Sequence, residues 1–227
     1  MSEFRSIAFD LDDTLLDTSS ILIPSAAKRA CEEMRVEGLQ CDLATCLQMR
    51  QELSVQHSHK DIFSLILKKF GATHPEEALQ KALKAFYQPQ VPPHLPLLSG
   101  ALENLEALKS RYNLYLVTMG NLEGQKQKIA ALDIEKHFKK IFIVDSLNGQ
   151  RKKQSFEEIL SLESHPAANL LAVGNRLSSE IRDANTLGAK TCYFAYGEHV
   201  GERAEVPEDH PHFTIAHHRE LISTCGL

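Results

Sequence analysis

No apolar run in this sequence approaches the roughly 20 residues that cross a bilayer as a helix, which excludes a helical membrane-spanning chain. The N-terminal apolar stretch is too short for a secretory signal and is broken by Asp10, Asp12 and Asp13. Basic residues are in deficit: 25 Lys and Arg against 30 Asp and Glu leave a net charge of -5 and a pI near 6.1. That balance argues against a nucleic-acid or anionic-membrane partner. No CxxC pair occurs, and the five cysteines Cys31, Cys41, Cys46, Cys192 and Cys225 are an odd number. Reduced thiols, most of them small core residues, fit this better than a disulfide framework. These absences leave a cytoplasmic globular protein. The 227 residues, 43% hydrophobic and 24% charged, suffice for one large domain or for a domain carrying a sizeable insertion.

Short apolar or β-branched runs lie at Ser6 to Phe9, Asn113 to Thr118, Ile141 to Val144, Asn169 to Val173 and Lys190 to Phe194. Each of the last four follows a segment with helical spacing, such as Leu102, Leu105 and Leu108 before the second. Strands separated by amphipathic helices imply right-handed crossovers, and so a parallel α/β sheet with helices on both faces in the Rossmann manner. Such sheets bind ligands beyond the carboxyl ends of their strands, where the strand order switches. Asp10 and Thr118 both fall at such ends.

The interval from 18 to 96 lacks strand runs and reads as four helices. Their stripes are Ala26, Ala27, Ala30, Cys31 and Met34; a weaker Leu43, Leu47, Arg50 and Leu53; Ile62, Phe63, Ile66, Leu67 and Phe70; and Ala78, Leu79, Ala82, Leu83 and Phe86. Pro24 and Pro75 suit helix starts, and Gly38 and Gly71 suit ends. The stripes are the core of an inserted bundle. Pro89, Pro92, Pro93 and Pro96 then form a stiff hinge back to the core. Residues 1–17 and 97–227 make up the sheet domain, and residues 18–96 the helical insertion.

Chemistry concentrates at Asp10-Leu11-Asp12-Asp13-Thr14. On an extended backbone residues two apart project to the same side, so Asp10 and Asp12 can face one small volume. A divalent cation, with magnesium the best suited, relieves their repulsion. The pair can divide its labour between nucleophile and proton donor and acceptor. Taken alone, the same residues also read as a turn or a helix N-cap. Thr118, followed by Met119 and Gly120, offers a hydroxyl and backbone N–H groups to phosphate oxygens, or makes an ordinary turn. The basic run Arg151-Lys152-Lys153, before a helix opened by Ser155, can neutralise a phosphoryl group or simply be solvated. Gly174-Asn175 ends a strand, and Glu180 heads the next helix as a metal carboxylate or as a favourable first-turn charge.

In combination and in this order, these segments resemble the haloacid dehalogenase-like hydrolase superfamily over almost the entire chain. The helical insertion matches the position of that family's first type of cap. The resemblance implies that Asp10 attacks phosphorus and that Asp12 serves as acid and then base. It implies Mg2+ held by an Asp10 oxygen, the Asp12 backbone carbonyl and the acidic motif around Asn175 and Glu180. Thr118, the backbone near Met119 and Gly120, and Lys152 would bind the phosphoryl oxygens, and the cap would set specificity. Two departures stand out. The fourth motif usually begins Gly-Asp, where this chain has Gly174-Asn175, and the third often has Lys-Pro, where the proline is absent and Lys153 competes with Lys152.

The expected activity is hydrolysis of a small phosphorylated metabolite, by a monomer or homodimer. A phosphomutase and a non-catalytic phosphate-binding module remain as alternatives. A 2-haloacid dehalogenase has no need of the carboxylate at i+2, so Asp12 favours phosphatase. His210, His212, His217 and His218 lie too close in sequence to converge on zinc without further support. His57 and His59, between cap helices, are placed to face substrate.

Overall fold

The computed structural model describes residues 4–87, 91–145 and 149–227. Its sheet has six strands: β1 (Ser6–Phe9), β2 (Asn113–Gly120), β3 (Lys140–Asp145), β4 (Leu170–Gly174), β5 (Lys190–Phe194) and β6 (Phe213–Ile215). All neighbours pair in parallel, in the order β3-β2-β1-β4-β5-β6. The five strand runs legible in the sequence are β1 to β5, and Phe213-Thr214-Ile215, which likewise reads as a last short strand, is the edge strand β6. Parallel strands need crossovers, and α6 (Ala101–Leu108), α7 (Leu122–Leu132), α8 (Lys153–Glu163) and α9 (Arg182–Asn185) lie in the connections. A last helix, α10 (Leu221–Cys225), follows β6.

Strand alternation assigns the core. Ala8, Tyr115, Val117, Phe142, Leu170 and Ala172 share one face and pack with Phe156 and Ile159 of α8 and Ala184 of α9. The alternate residues Ile7, Phe9, Leu114, Leu116, Leu171 and Val173 are equally buried, so both faces of the sheet are covered, as an all-parallel sheet requires.

The chain divides into two compact units, one of residues 1–17 and 92–227 and the other of residues 18–91. The helical unit holds α1 (Thr18–Ile21), α2 (Ile23–Val36), α3 (Leu43–Leu53), α4 (His59–Phe70) and α5 (Pro75–Tyr87). That is one short helix more than the four stripes indicated, because the single turn of α1 is too brief to show a period. The apolar stripes form this unit's own core, with Pro24 in the first turn of α2 and Pro75 opening α5. Asp42 and Ser58 cap α3 and α4 by accepting from Thr45 N and Asp61 N.

The return to the sheet unit begins at residue 92 rather than 97. The proline-rich stretch is fastened there by Leu95 N to Ala131 O (3.0 Å) and Leu98 N to Leu15 O (2.8 Å). Pro89 lies outside the described residues. Among the described residues no helix is long and apolar enough to cross a membrane.

Candidate active site

The switch in strand direction of progression falls at β1, whose neighbours β2 and β4 lead outward to opposite edges. Phe9 is in register with both Leu116 and Val173, and Asp10 N donates to Val173 O (2.9 Å). Asp10 therefore emerges between the carboxyl ends of β2, which carries Thr118, and β4, which ends at Gly174. The chain then closes a tight loop, with Leu15 N and Leu16 N donating to Leu11 O and Asp13 N to Leu16 O (2.7 Å). Asp13 turns the corner at φ 53, a left-handed conformation that aspartate tolerates. Gly197 packs so closely that a Cβ there would stand 2.3 Å from the Asp13 carboxyl carbon.

The two aspartates have separate cationic partners. Asp10 is buried, and Lys152 Nζ lies 2.6 Å from its Oδ1 and 2.9 Å from Glu180 Oε2. Burial pushes the Asp10 carboxyl up to about 7; Lys152 pulls it down, and Glu180 adds to the rise. Burial also works against the Lys152 ammonium, but Asp10 and Glu180 overrule it and hold it above the usual lysine range. For Glu180 burial is overruled likewise, by Lys152 and by the N–H of Arg176 (2.8 Å to Oε1), which keep it low. Asp12 instead meets Lys128, whose Nζ lies 2.7 Å from Oδ1, and Gln125, whose Nε2 lies 2.8 Å from Oδ2.

The third segment is reshaped relative to the sequence reading. Helix α8 opens at Lys153 rather than Ser155, with Lys152 at its N-cap. Lys152 is therefore turned inward onto Asp10, while Lys153 is half-buried. The backbone here is fastened by Asp183, which accepts from Lys153 N (3.1 Å) and from Arg151 Nε (2.9 Å).

The fourth segment, Leu177–Ile181, is a wide helical turn ahead of α9, not the first turn of a regular helix. Glu180 sits within it and reaches back over Gly174. A Cβ at Gly174 would stand 2.2 Å from Glu180 Cγ, so the strand-end glycine is what lets that carboxylate through. Asn175 is 3% exposed, and its Nδ2 donates to Tyr196 O (3.3 Å). Thr118 is fully buried and its hydroxyl oxygen accepts from Gln125 Nε2 (2.8 Å).

A family model for haloacid dehalogenase-like hydrolases matches residues 7–194. The chain belongs to that family. It is 31% identical, over 86% of its length and 82% of the relative's, to the glyceraldehyde 3-phosphate phosphatase of Pyrococcus abyssi. Among solved structures, a haloacid dehalogenase-like family protein of Streptococcus pneumoniae superposes with TM-score 0.71 at 23% identity, covering 98% of this chain and 99% of that one. The HAD-hydrolase YfnB of Bacillus subtilis, solved bound to magnesium, gives TM-score 0.67 at 22% identity, with 97% of each chain covered. Within the haloacid dehalogenase-like family this chain stands with the phosphatases.

The sequence reading of this hydrolase missed four residues that make contacts at the candidate site: Gln125, Lys128, Asp183 and Glu202. Glu202 accepts from Leu177 N (2.6 Å) and from the Ser178 hydroxyl, pinning the wide turn. A signal for the first two existed. Gln125, Lys128, Ile129 and Leu132 stand at i, i+3, i+4 and i+7, so two polar residues occupy a stripe that α7 buries. Two of the histidines make internal packing contacts. His59 lies against Phe86 in the helical unit, and His218 is buried with its Nε2 2.6 Å from Thr14 O.

Proposed function

We propose that this protein is a magnesium-dependent phosphatase that hydrolyses a small phosphorylated metabolite through an aspartyl-phosphate on Asp10. The observation that carries the reading is the separation of the two aspartates onto two lysines. Asp10, with Lys152 and Glu180 beside it, is the nucleophile, and Asp12, with Lys128 and Gln125 beside it, is the proton carrier. An Asp10 oxygen bonds to phosphorus as the bond to the leaving oxygen breaks, and Asp12 gives that oxygen its proton. Asp12 then takes a proton from the water that cleaves the aspartyl-phosphate. Thr118, the N–H groups near Gly120 and Lys152 bind the phosphoryl oxygens.

The residues present fit magnesium. Three carboxylates face two ammonium groups, and burial leaves the Asp10 charge under-compensated although Lys152 adjoins it. The donors that would hold it are hard oxygens: an Asp10 oxygen, the Asp12 carbonyl and the Asn175 amide oxygen, whose NH2 is taken by Tyr196 O. Glu180 stands beside them, with one oxygen on Lys152 and the other on Arg176 N. The cation, when bound, draws charge from the phosphoryl oxygens.

Kinship to a glyceraldehyde 3-phosphate phosphatase puts triose phosphates first among substrates, ahead of phosphoglycolate, longer sugar phosphates and nucleotides. The test is phosphate release from p-nitrophenyl phosphate and from that panel, with magnesium and with EDTA, for wild type and Asp10→Asn. We expect metal-dependent turnover that falls at least about 10³-fold in the variant. A folded, magnesium-loaded wild type that turns over nothing overturns the reading.

A further inference from the structure

Burying an amide and an ammonium on the inner face of α7 is costly unless each finds partners, and the partners they find are informative. From Gln125, Nε2 lies 2.8 Å from Asp12 Oδ2, 2.8 Å from Thr118 Oγ1 and 3.0 Å from Met119 O. Lys128 Nζ takes the other Asp12 oxygen at 2.7 Å. Carbonyl and carboxylate oxygens only accept, so the Gln125 amide must turn its NH2 to this side. Its own Oε1 is then buried without a donor among the described residues, a cost that an apolar side chain would spare. Two N–H protons serve these three acceptors, so one is shared; facing an NH2, the Thr118 oxygen accepts, and its hydroxyl proton is left to give elsewhere. Gly120 keeps the passage open, since a Cβ there would stand 3.0 Å from Gln125 Nε2 and 3.2 Å from Cδ.

We propose that Gln125 and Lys128 are positioning residues for proton transfer. They hold Asp12 by both oxygens so that it meets the leaving-group oxygen, and through Gln125 the same helix turns the Thr118 hydroxyl toward the phosphoryl group. This rests on the phosphatase reading above. As the bond from phosphorus to the leaving oxygen breaks and the bond to Asp10 forms, the Asp12 proton passes to the leaving oxygen. Lys128 and Gln125 then hold the resulting carboxylate until it takes a proton from the attacking water.

The test compares kcat/KM, which reports phosphoryl transfer to Asp10, on two probes of similar size: phenyl phosphate, whose leaving group needs a proton, and p-nitrophenyl phosphate, whose leaving group hardly does. In Gln125→Leu and Lys128→Met we expect the phenyl phosphate value to fall at least about 30-fold further than the p-nitrophenyl value, as general acid catalysis is withdrawn. Asp12→Asn should show the same bias in full, and Lys128→Arg should recover part of it. If either variant fails to fold, Lys128→Arg and Gln125→Asn, which retain a donor, must show the same bias at smaller size. Equal losses on both probes, in an enzyme whose wild type uses both, overturn the positioning role alone. A wild type inactive on both overturns the phosphatase reading, and the positioning role with it.

Discussion

At the scale of single residues, the contrast between Lys152 and Lys153 separates function from surface chemistry. Lys152 Nζ bridges Asp10 and Glu180, whereas Lys153 is half-buried and its backbone N–H donates to Asp183. Lys152→Ala should lose about 10²- to 10³-fold in kcat/KM. It should also lower the melting temperature, because two buried carboxylates lose their counter-charge. Lys153→Ala should stay within about threefold, a surface-scale effect. Equal losses in the two would remove Lys152 from the site. Asn175 poses the complementary question. It brings a neutral oxygen where the family usually brings a charged one, so Asn175→Asp should lower the magnesium concentration at half-maximal activity. An unchanged magnesium titration would show that residue 175 does not face the metal. Sequence alone left the choice between the lysines open because both are basic and adjacent. Only the early start of α8 decides which of them turns inward.

Among the elements, the wide turn Leu177–Ile181 is the piece whose shape the site depends on most. It carries Glu180 and follows Asn175; Leu177 and Ile181 anchor it against Tyr193, and Glu202 holds its opening through Leu177 N and the Ser178 hydroxyl. Glu202→Ala would leave a buried N–H without its acceptor, a loss of about 1–3 kcal/mol. It should also raise the magnesium requirement, while Glu202→Gln, which keeps an acceptor oxygen, should lie between it and wild type. Denaturant titration and metal titration of the two variants check this; a stability loss with unchanged magnesium response would confine Glu202 to the fold. The strands around this turn were legible because a buried parallel strand is a nearly continuous apolar run. Glu202 was not, since a carboxylate 25 residues from its partner along the chain carries no local pattern. Gln125 and Lys128 were legible in principle, as polar residues interrupting the stripe of α7, but what they touch comes from the fold.

For the whole molecule, the decisive contacts join the end of the chain to its beginning. His218 lies 204 residues from Thr14, yet its ring donates from Nε2 to the Thr14 carbonyl, while Asn104 approaches Nδ1 at 3.3 Å and donates to the His218 carbonyl. The donor on Nε2 and acceptor on Nδ1 describe a neutral ring. Burial, opposed by the Thr14 bond and Glu103, holds His218 below the usual imidazole range. His137 and His212 are held down as well, by burial first and then by nearby lysines. In the unfolded chain these rings take a proton near 6.5, and in the fold they resist it. Their contribution is therefore complete above that value and is lost as pH falls below it. The Asp209 carboxyl behaves differently. Burial there is outweighed by its paired bonds to Arg182 (2.6 and 2.8 Å) and by backbone N–H groups, which keep it below 3.8, so its contribution persists until much stronger acid. The histidines should accordingly lower the urea midpoint between about pH 7.5 and about pH 5.5, a drop opposed by Asp10, which is raised to about 7 and takes up a proton in the fold over the same window. His218→Gln should flatten that drop, since an amide can still donate to Thr14 O but cannot take the proton. The variant's midpoint should be lower than wild type near neutrality, where the imidazole packs against Phe194 at 4.8 Å, and the two curves should converge in acid. Parallel curves would assign the acid sensitivity to His137 and His212 and leave His218 a packing residue that anchors the loop after Asp12.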